Sequence, residues 1–99
     1  MDSRELMFSI HFDQDESADD MQLNYYLLSQ KNDIGEESQY KYTYGIMIEE
    51  SCNDIANSTE INDLCPIREE VIGFISALQK NQVTAATLYD VAYDWVSSR

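Results

Sequence analysis

The sequence predicts an α+β fold: an antiparallel β-meander of three to four strands, followed by two C-terminal helices packed on one face of the sheet. Three observations predict it. Apolar residues before position 65 recur with period two, and those after Pro66 recur at helical spacing. The stretches between them carry turn chemistry or runs of acid. At 99 residues the chain holds a single domain, 1–99, made of an acidic N-terminal strand and loop (1–20), a sheet (22–64) and two helices (66–97).

The first strand is read from Leu6, Phe8, Ile10 and Phe12, which alternate with weaker residues and are expected to share the buried face. That phase turns His11 outward. The strand ends in Asp13-Gln14-Asp15-Glu16-Ser17-Ala18-Asp19-Asp20, an acidic stretch expected to be a solvated loop. Gln22 to Ser29 is apolar and aromatic on both parities, the mark of a central strand covered on both faces. Lys31 to Ser38 carries turn chemistry. In the next strand Tyr40, Tyr42, Tyr44, Ile46 and Ile48 are expected to pack, while Lys41, Thr43, Gly45, Met47 and Glu49 mostly meet water. A polar stretch follows, and Glu60-Ile61-Asn62-Asp63-Leu64 reads as a short last strand.

Pro66 marks the change of regime and is expected at the first helical position, where a missing N–H costs nothing. Ile67, Val71, Phe74, Ile75 and Leu78 form one helical stripe that ends near Lys80-Asn81. After a short turn Thr84 is a good N-cap, and Leu88, Val91, Ala92, Trp95 and Val96 form a second stripe. Trp95 is expected at the centre of the core.

Charge excludes more than it assigns. The chain has 6 Lys plus Arg against 19 Asp plus Glu, a formal net charge of −13. A binder of the phosphate backbone needs the opposite sign, because affinity there begins with basic residues releasing counterions. Anionic membranes are disfavoured for the same reason, and no apolar run approaches the ~20 residues of a membrane-spanning helix. The N-terminal residues lack the basic start and apolar stretch of a signal peptide. Residues 1–63 hold 15 acids and 3 bases, whereas residues 64–99 hold 4 and 3, so nearly all the excess charge belongs to the sheet half.

No residue pattern announces chemistry. Cys52 and Cys65 are too few for a disulfide scaffold and fit no Cys/His zinc spacing; they read as free thiols of a cytoplasmic protein, with a bridge open if their strands pair. Asp13, Asp15 and Ser17 begin like a calcium loop, but Ala18 stands at the required glycine and Asn24 at the bidentate glutamate. Asp90 and Asp94 share a helix face outside the apolar stripe and lack a third ligand nearby, so a solvated face is expected. One histidine, no glycine-rich phosphate loop and no nucleophile–base pair leave no catalytic residue, no metal site and no cofactor to assign. Of the seven tyrosines, Tyr25, Tyr40, Tyr42 and Tyr44 are expected in the core, while Tyr26, Tyr89 and Tyr93 are candidate anchors of a protein interface.

Leu23-Asn24-Tyr25-Tyr26-Leu27-Leu28, Tyr42-Thr43-Tyr44-Gly45-Ile46-Met47-Ile48-Glu49, and Leu88-Tyr89-Asp90-Val91-Ala92-Tyr93-Asp94 after Val83-Thr84 resemble a family of small proteins of Gram-positive bacteria. The resemblance spans roughly residues 22–96 and rests on a YYLL strand, a YGI strand and an LxDVxxD helix. It implies a soluble cytoplasmic protein and brings no activity or catalytic residues with it. The acidic stretch before residue 20 and Cys65-Pro66, in place of a Ser/Thr cap, depart from the family pattern.

Two functions follow as expectations. In the first, the chain is a non-enzymatic acidic protein that binds a basic surface of a protein partner, without touching nucleic acid or membrane itself. An array of carboxylates on a small fold imitates a phosphate backbone, as phage-encoded inhibitors of restriction or CRISPR enzymes do. Its contact residues would be Asp13, Asp15, Glu16, Asp19, Asp20, Glu36, Glu37, Glu49 and Glu50. In the second, the chain is a housekeeping regulatory or adaptor protein whose tyrosine-rich surface binds a partner or a second copy as a homodimer.

Overall fold

Period-two patterning becomes four antiparallel strands laid side by side in sequence order. They are β1 (Ser3–Phe12), β2 (Met21–Lys31), β3 (Tyr42–Cys52) and β4 (Ile55–Cys65). Helix α1 (Arg68–Lys80), a 3-10 turn (Ala85–Thr87) and helix α2 (Leu88–Ser97) follow. The computed structural model describes residues 3–12, 21–31, 42–52 and 55–98. The meander and its two helices are as the sequence predicts, with β4 a full 11-residue strand where only a short one is legible. β3 continues through Ser51 to Cys52, so much of the polar stretch belongs to two paired strands.

One side of the sheet carries the core. Leu23, Tyr25 and Leu27 of β2 and Ile46 and Ile48 of β3 are essentially sealed from solvent, packed against Val71, Phe74, Ile75 and Leu78 of α1 and Leu88 and Ala92 of α2. The register pairs Tyr25 with Ile48 and Leu27 with Ile46, so bulky side chains stand directly opposite on this face. The Tyr25 hydroxyl donates to the Val83 carbonyl at 2.8 Å. It thereby fastens the connection between the helices to the sheet centre and satisfies a phenol that burial would otherwise strand. Burial pushes this hydroxyl up to about 12, and the Glu50 carboxylate adds to the rise.

Local register changes overturn several simple phase expectations. The β1–β2 register shifts between Leu6 and Phe8. A bulge moves everything beyond it to the other face, so Leu6 leaves the buried set and stands 54% exposed while Met7 packs on the core. In β3 the odd positions do not meet water: Thr43 and Met47 are both 6% exposed, and Gly45 is buried. Tyr42, expected inside, is 48% exposed, Tyr44 is half-buried, and Tyr40 lies outside the described residues. β3 is an interior strand between β2 and β4, whose side chains close over it, as Asp63 of β4 does on Thr43.

A second irregularity, between Tyr44 and Ile46, lets β4 loop around Gly45. A Cβ at Gly45 would sit 2.0 Å from the Ile61 carbonyl oxygen and 3.0 Å from the Asn62 Cα, which are backbone atoms with no room to yield. Asp63 adopts φ 55°, and its carboxylate accepts from the Thr43 hydroxyl at 2.6 Å, pinning the bulge.

Helix boundaries also move. Pro66 is not the first helical residue: α1 starts at Arg68 after Ile67, and Ile67 is 36% exposed instead of joining the stripe. The buried Cys65 sulfur accepts from the Ile67 N–H and its thiol donates to the Glu70 carboxylate, each at 3.5 Å, while the N-cap residue Ile67 makes no side-chain cap hydrogen bond. The far end closes through Val83 N–H to Leu78 and Gln82 N–H to Gln79, with Gln82 at φ 52°, the geometry usually given to glycine. Neither Cys52 nor Cys65 is in a disulfide. Cys52 pairs with Ile55 and Cys65 with Tyr44, at opposite ends of one ladder, which excludes the bridge.

Candidate functional site

The uncovered face of the sheet carries a polar ladder. The Ser9 hydroxyl donates to Asn24 Oδ1 at 2.7 Å, and Gln22 Nε2 donates to Ser9 Oγ and Asn24 Oδ1. Asn24 Nδ2 and the Tyr26 hydroxyl both donate to Glu49 Oε1, at 3.1 and 3.4 Å. The Arg4 guanidinium lies over the Tyr26 ring, 5.2 Å from its centroid. Alternating positions of three neighbouring strands make this row, because residues directly opposite share a face. Leu28 and Met47 floor a cleft of about 300 Å³ beside it, with Arg4 and Glu60 in its walls. His11 is exposed on this face, opposite Gln22.

Helix α2 builds the second surface. Its spacing produces two apolar stripes. Leu88, Val91, Ala92 and Trp95 turn inward, while Tyr89, Tyr93 and Val96, at i, i+4 and i+7, turn outward and are 62%, 73% and 50% exposed. Val96 therefore does not belong to the inner stripe, contrary to expectation. Trp95 is not at the core centre either. It is half-buried at the rim, stacked on Phe74 with centroids 4.5 Å apart and planes 2° from parallel. The outward stripe meets Ile61 and Leu64 of β4 across an apolar groove of about 270 Å³. The Tyr89 hydroxyl spans one end and donates to the Glu60 carbonyl at 3.2 Å. Next to Tyr89 and Tyr93 on the same helix stand the exposed residues Asp90 and Asp94.

Of the acidic residues expected to contact a partner, Asp13, Asp15, Glu16, Asp19, Asp20, Glu36 and Glu37 lie outside the described residues, as does the start of the rejected calcium loop, whose twelfth position, Asn24, is in β2. Glu49 and Glu50 are half-buried and, as strand neighbours, face opposite sides of the sheet. Glu49 holds two donors of the polar ladder; Glu50 stands on the helix side, opposite Leu23 and Asn57. The structure does not bring these two together. Among the described residues no group of three His, Cys, Asp or Glu side chains comes together as a metal site would require. No described helix is long and apolar enough to cross a membrane. The groove was only half legible: the tyrosines of α2 stand out as interface anchors, but the i, i+4, i+7 spacing that joins Val96 to them was the available signal.

These features define a small α+β protein with a chemically divided surface, one face polar and one groove apolar. Over residues 4–98 the chain matches a family of unknown function, DUF6514, and it belongs to that family. No curated protein and no solved structure matches it.

Proposed function

We propose that the protein is a non-enzymatic interaction protein of the bacterial cytoplasm that binds a basic surface of a protein partner. The observation that carries this reading is the net acid concentrated in residues 1–63, and the outward stripe Tyr89/Tyr93/Val96 of α2 adds apolar contact area beside a groove. Tyrosine gives much contact area for little ordering entropy, so it recurs as an interface anchor. The net charge of −13 supplies the complement to a basic partner and steers the encounter.

That charge also favours a finer reading, a nucleic-acid mimic that inhibits a nucleic-acid-handling enzyme of the anti-CRISPR or anti-restriction type. Residues 1–63 carry a net −12 of the total, and the resemblance to Gram-positive proteins with added acid fits a phage or mobile-element form. The other reading is a housekeeping adaptor held by the tyrosines alone. Capture of a partner from a Gram-positive lysate, followed by its affinity at two salt concentrations and in competition with DNA, separates them. Mimicry requires a basic partner, a steep loss of affinity with salt and displacement by DNA. A flat salt profile supports the adaptor, and a partner without a basic surface overturns the proposal.

A further inference from the structure

The geometry points to the groove between β4 and α2 as the docking site of an amphipathic helix that presents an apolar ridge flanked by lysine or arginine. This rests on the reading of the chain as an interaction protein and names the element its partner supplies.

The argument starts from the shape. Ile61 and Leu64 on the strand and Tyr89, Ala92, Tyr93 and Val96 on the helix enclose a trough whose accessible lining is almost wholly apolar. One wall is itself a helix, so the ridges of a second helix laid along α2 fit its i, i+4 rows. Recognition by apolar anchors in a groove is the common way a helix is bound. A strand added at the edge of β4 is disfavoured, because Tyr89 already occupies the Glu60 carbonyl there.

Charge selects the occupant. The described charges that adjoin the stripe on α2 are the exposed carboxylates of Asp90 and Asp94, while the Glu60 side chain belongs to the other face of the sheet. A second copy of the chain would lay α2 against α2 and bring Asp90 and Asp94 against their own counterparts, a like-charge contact that opposes self-association. A helix with basic flanks meets the opposite sign along the Asp90 and Asp94 side of the groove.

The test uses the full isotope-labelled chain and two helical peptides of about 15 residues, one of leucine and lysine and one of leucine and glutamate with the same pattern. The leucine–lysine peptide is expected to shift the amides of Ile61, Leu64, Tyr93 and Val96, and the acidic peptide is not. Tyr93→Ser with Val96→Ser should weaken binding at least about tenfold, the scale of losing one interface anchor. Leu6→Ser, an exposed apolar change on the other face, should leave binding unchanged. Binding of the basic peptide elsewhere, undiminished in the groove variant, overturns the groove while the acidic-interaction reading stands. Binding of neither peptide, or of both equally, overturns it as well. Sedimentation as a dimer with concentration-dependent shifts at these amides makes the second copy the occupant and also overturns it. The broader reading fails separately, by the partner it captures.

Discussion

Helices α1 and α2 lie over the same face of one sheet, yet they place their apolar residues differently. Over its 13 residues α1 gathers Val71, Phe74, Ile75 and Leu78 into one stripe, buries all four and leaves charged or small residues outside. Over its 10 residues α2 buries only Leu88 and Ala92 fully, half-buries Val91 and Trp95, and turns a second apolar row to solvent. One amphipathic stripe is what folding needs from a helix on a sheet. A second, outward stripe, tied to β4 by the Tyr89 hydroxyl bond, carries the solubility cost of an exposed patch. The contrast supports the proposal that the outer face of α2 serves contact while α1 serves stability.

Breaking α1 should therefore have the largest effect. Phe74→Ala removes a buried ring and the platform for Trp95, and is expected to cost about 3–5 kcal/mol in urea unfolding. That approaches the whole stability of a domain this size. Trp95→Ala is expected to cost less, about 2 kcal/mol, because the indole is already half in solvent. The double mutant should recover about 1 kcal/mol relative to additivity, the coupling of a stacked pair.

The joint between the helices is tested by pH. The Tyr25 hydroxyl is pushed up to about 12 from an ordinary value of 10.0, so the folded state prefers the protonated phenol. Its contribution is complete below pH 10 and is lost as pH rises through 12. An alkaline loss of about 2 kcal/mol over that window is expected in the parent, and its absence in Tyr25→Phe is the check.

Two glycines sharpen the comparison further. Gly73, on the exposed side of α1, has nothing within 4 Å of an added Cβ, so Gly73→Ala should stabilise by about 1 kcal/mol through helix propensity alone. Gly45→Ala at the β4 bulge should instead disrupt the β3–β4 pairing, visible as early amide exchange in β4.

Much of this division was legible in the sequence. Period-two runs and a switch to helical spacing at Pro66 suffice for the meander and two helices, because they report which side chains face the core. What escaped were events that periodicity cannot carry. The bulge that reverses Leu6 inserts a residue without changing composition. The burial of Thr43 and Met47 depends on β3 having neighbours on both sides. The close approach at Gly45 depends on a bulge in a strand some sixteen residues away. Tyr25 was legible as core but not as the donor to Val83, since that contact joins distant parts of the chain. For the site, Tyr89 and Tyr93 were visible as candidate anchors, whereas Val96 was assigned to the wrong face because it also continues the inner stripe by one residue.

The central claim, that the outer face of α2 serves contact and not folding, meets its most direct test in urea unfolding of Tyr93→Ser with Val96→Ser. Both side chains are at least half exposed, so each change is expected to fall within about 0.5 kcal/mol, as surface substitutions do. An unfolding midpoint indistinguishable from the parent is the predicted result. A combined loss above about 2 kcal/mol, the scale of core truncation, would contradict the division and make the outward stripe part of the fold.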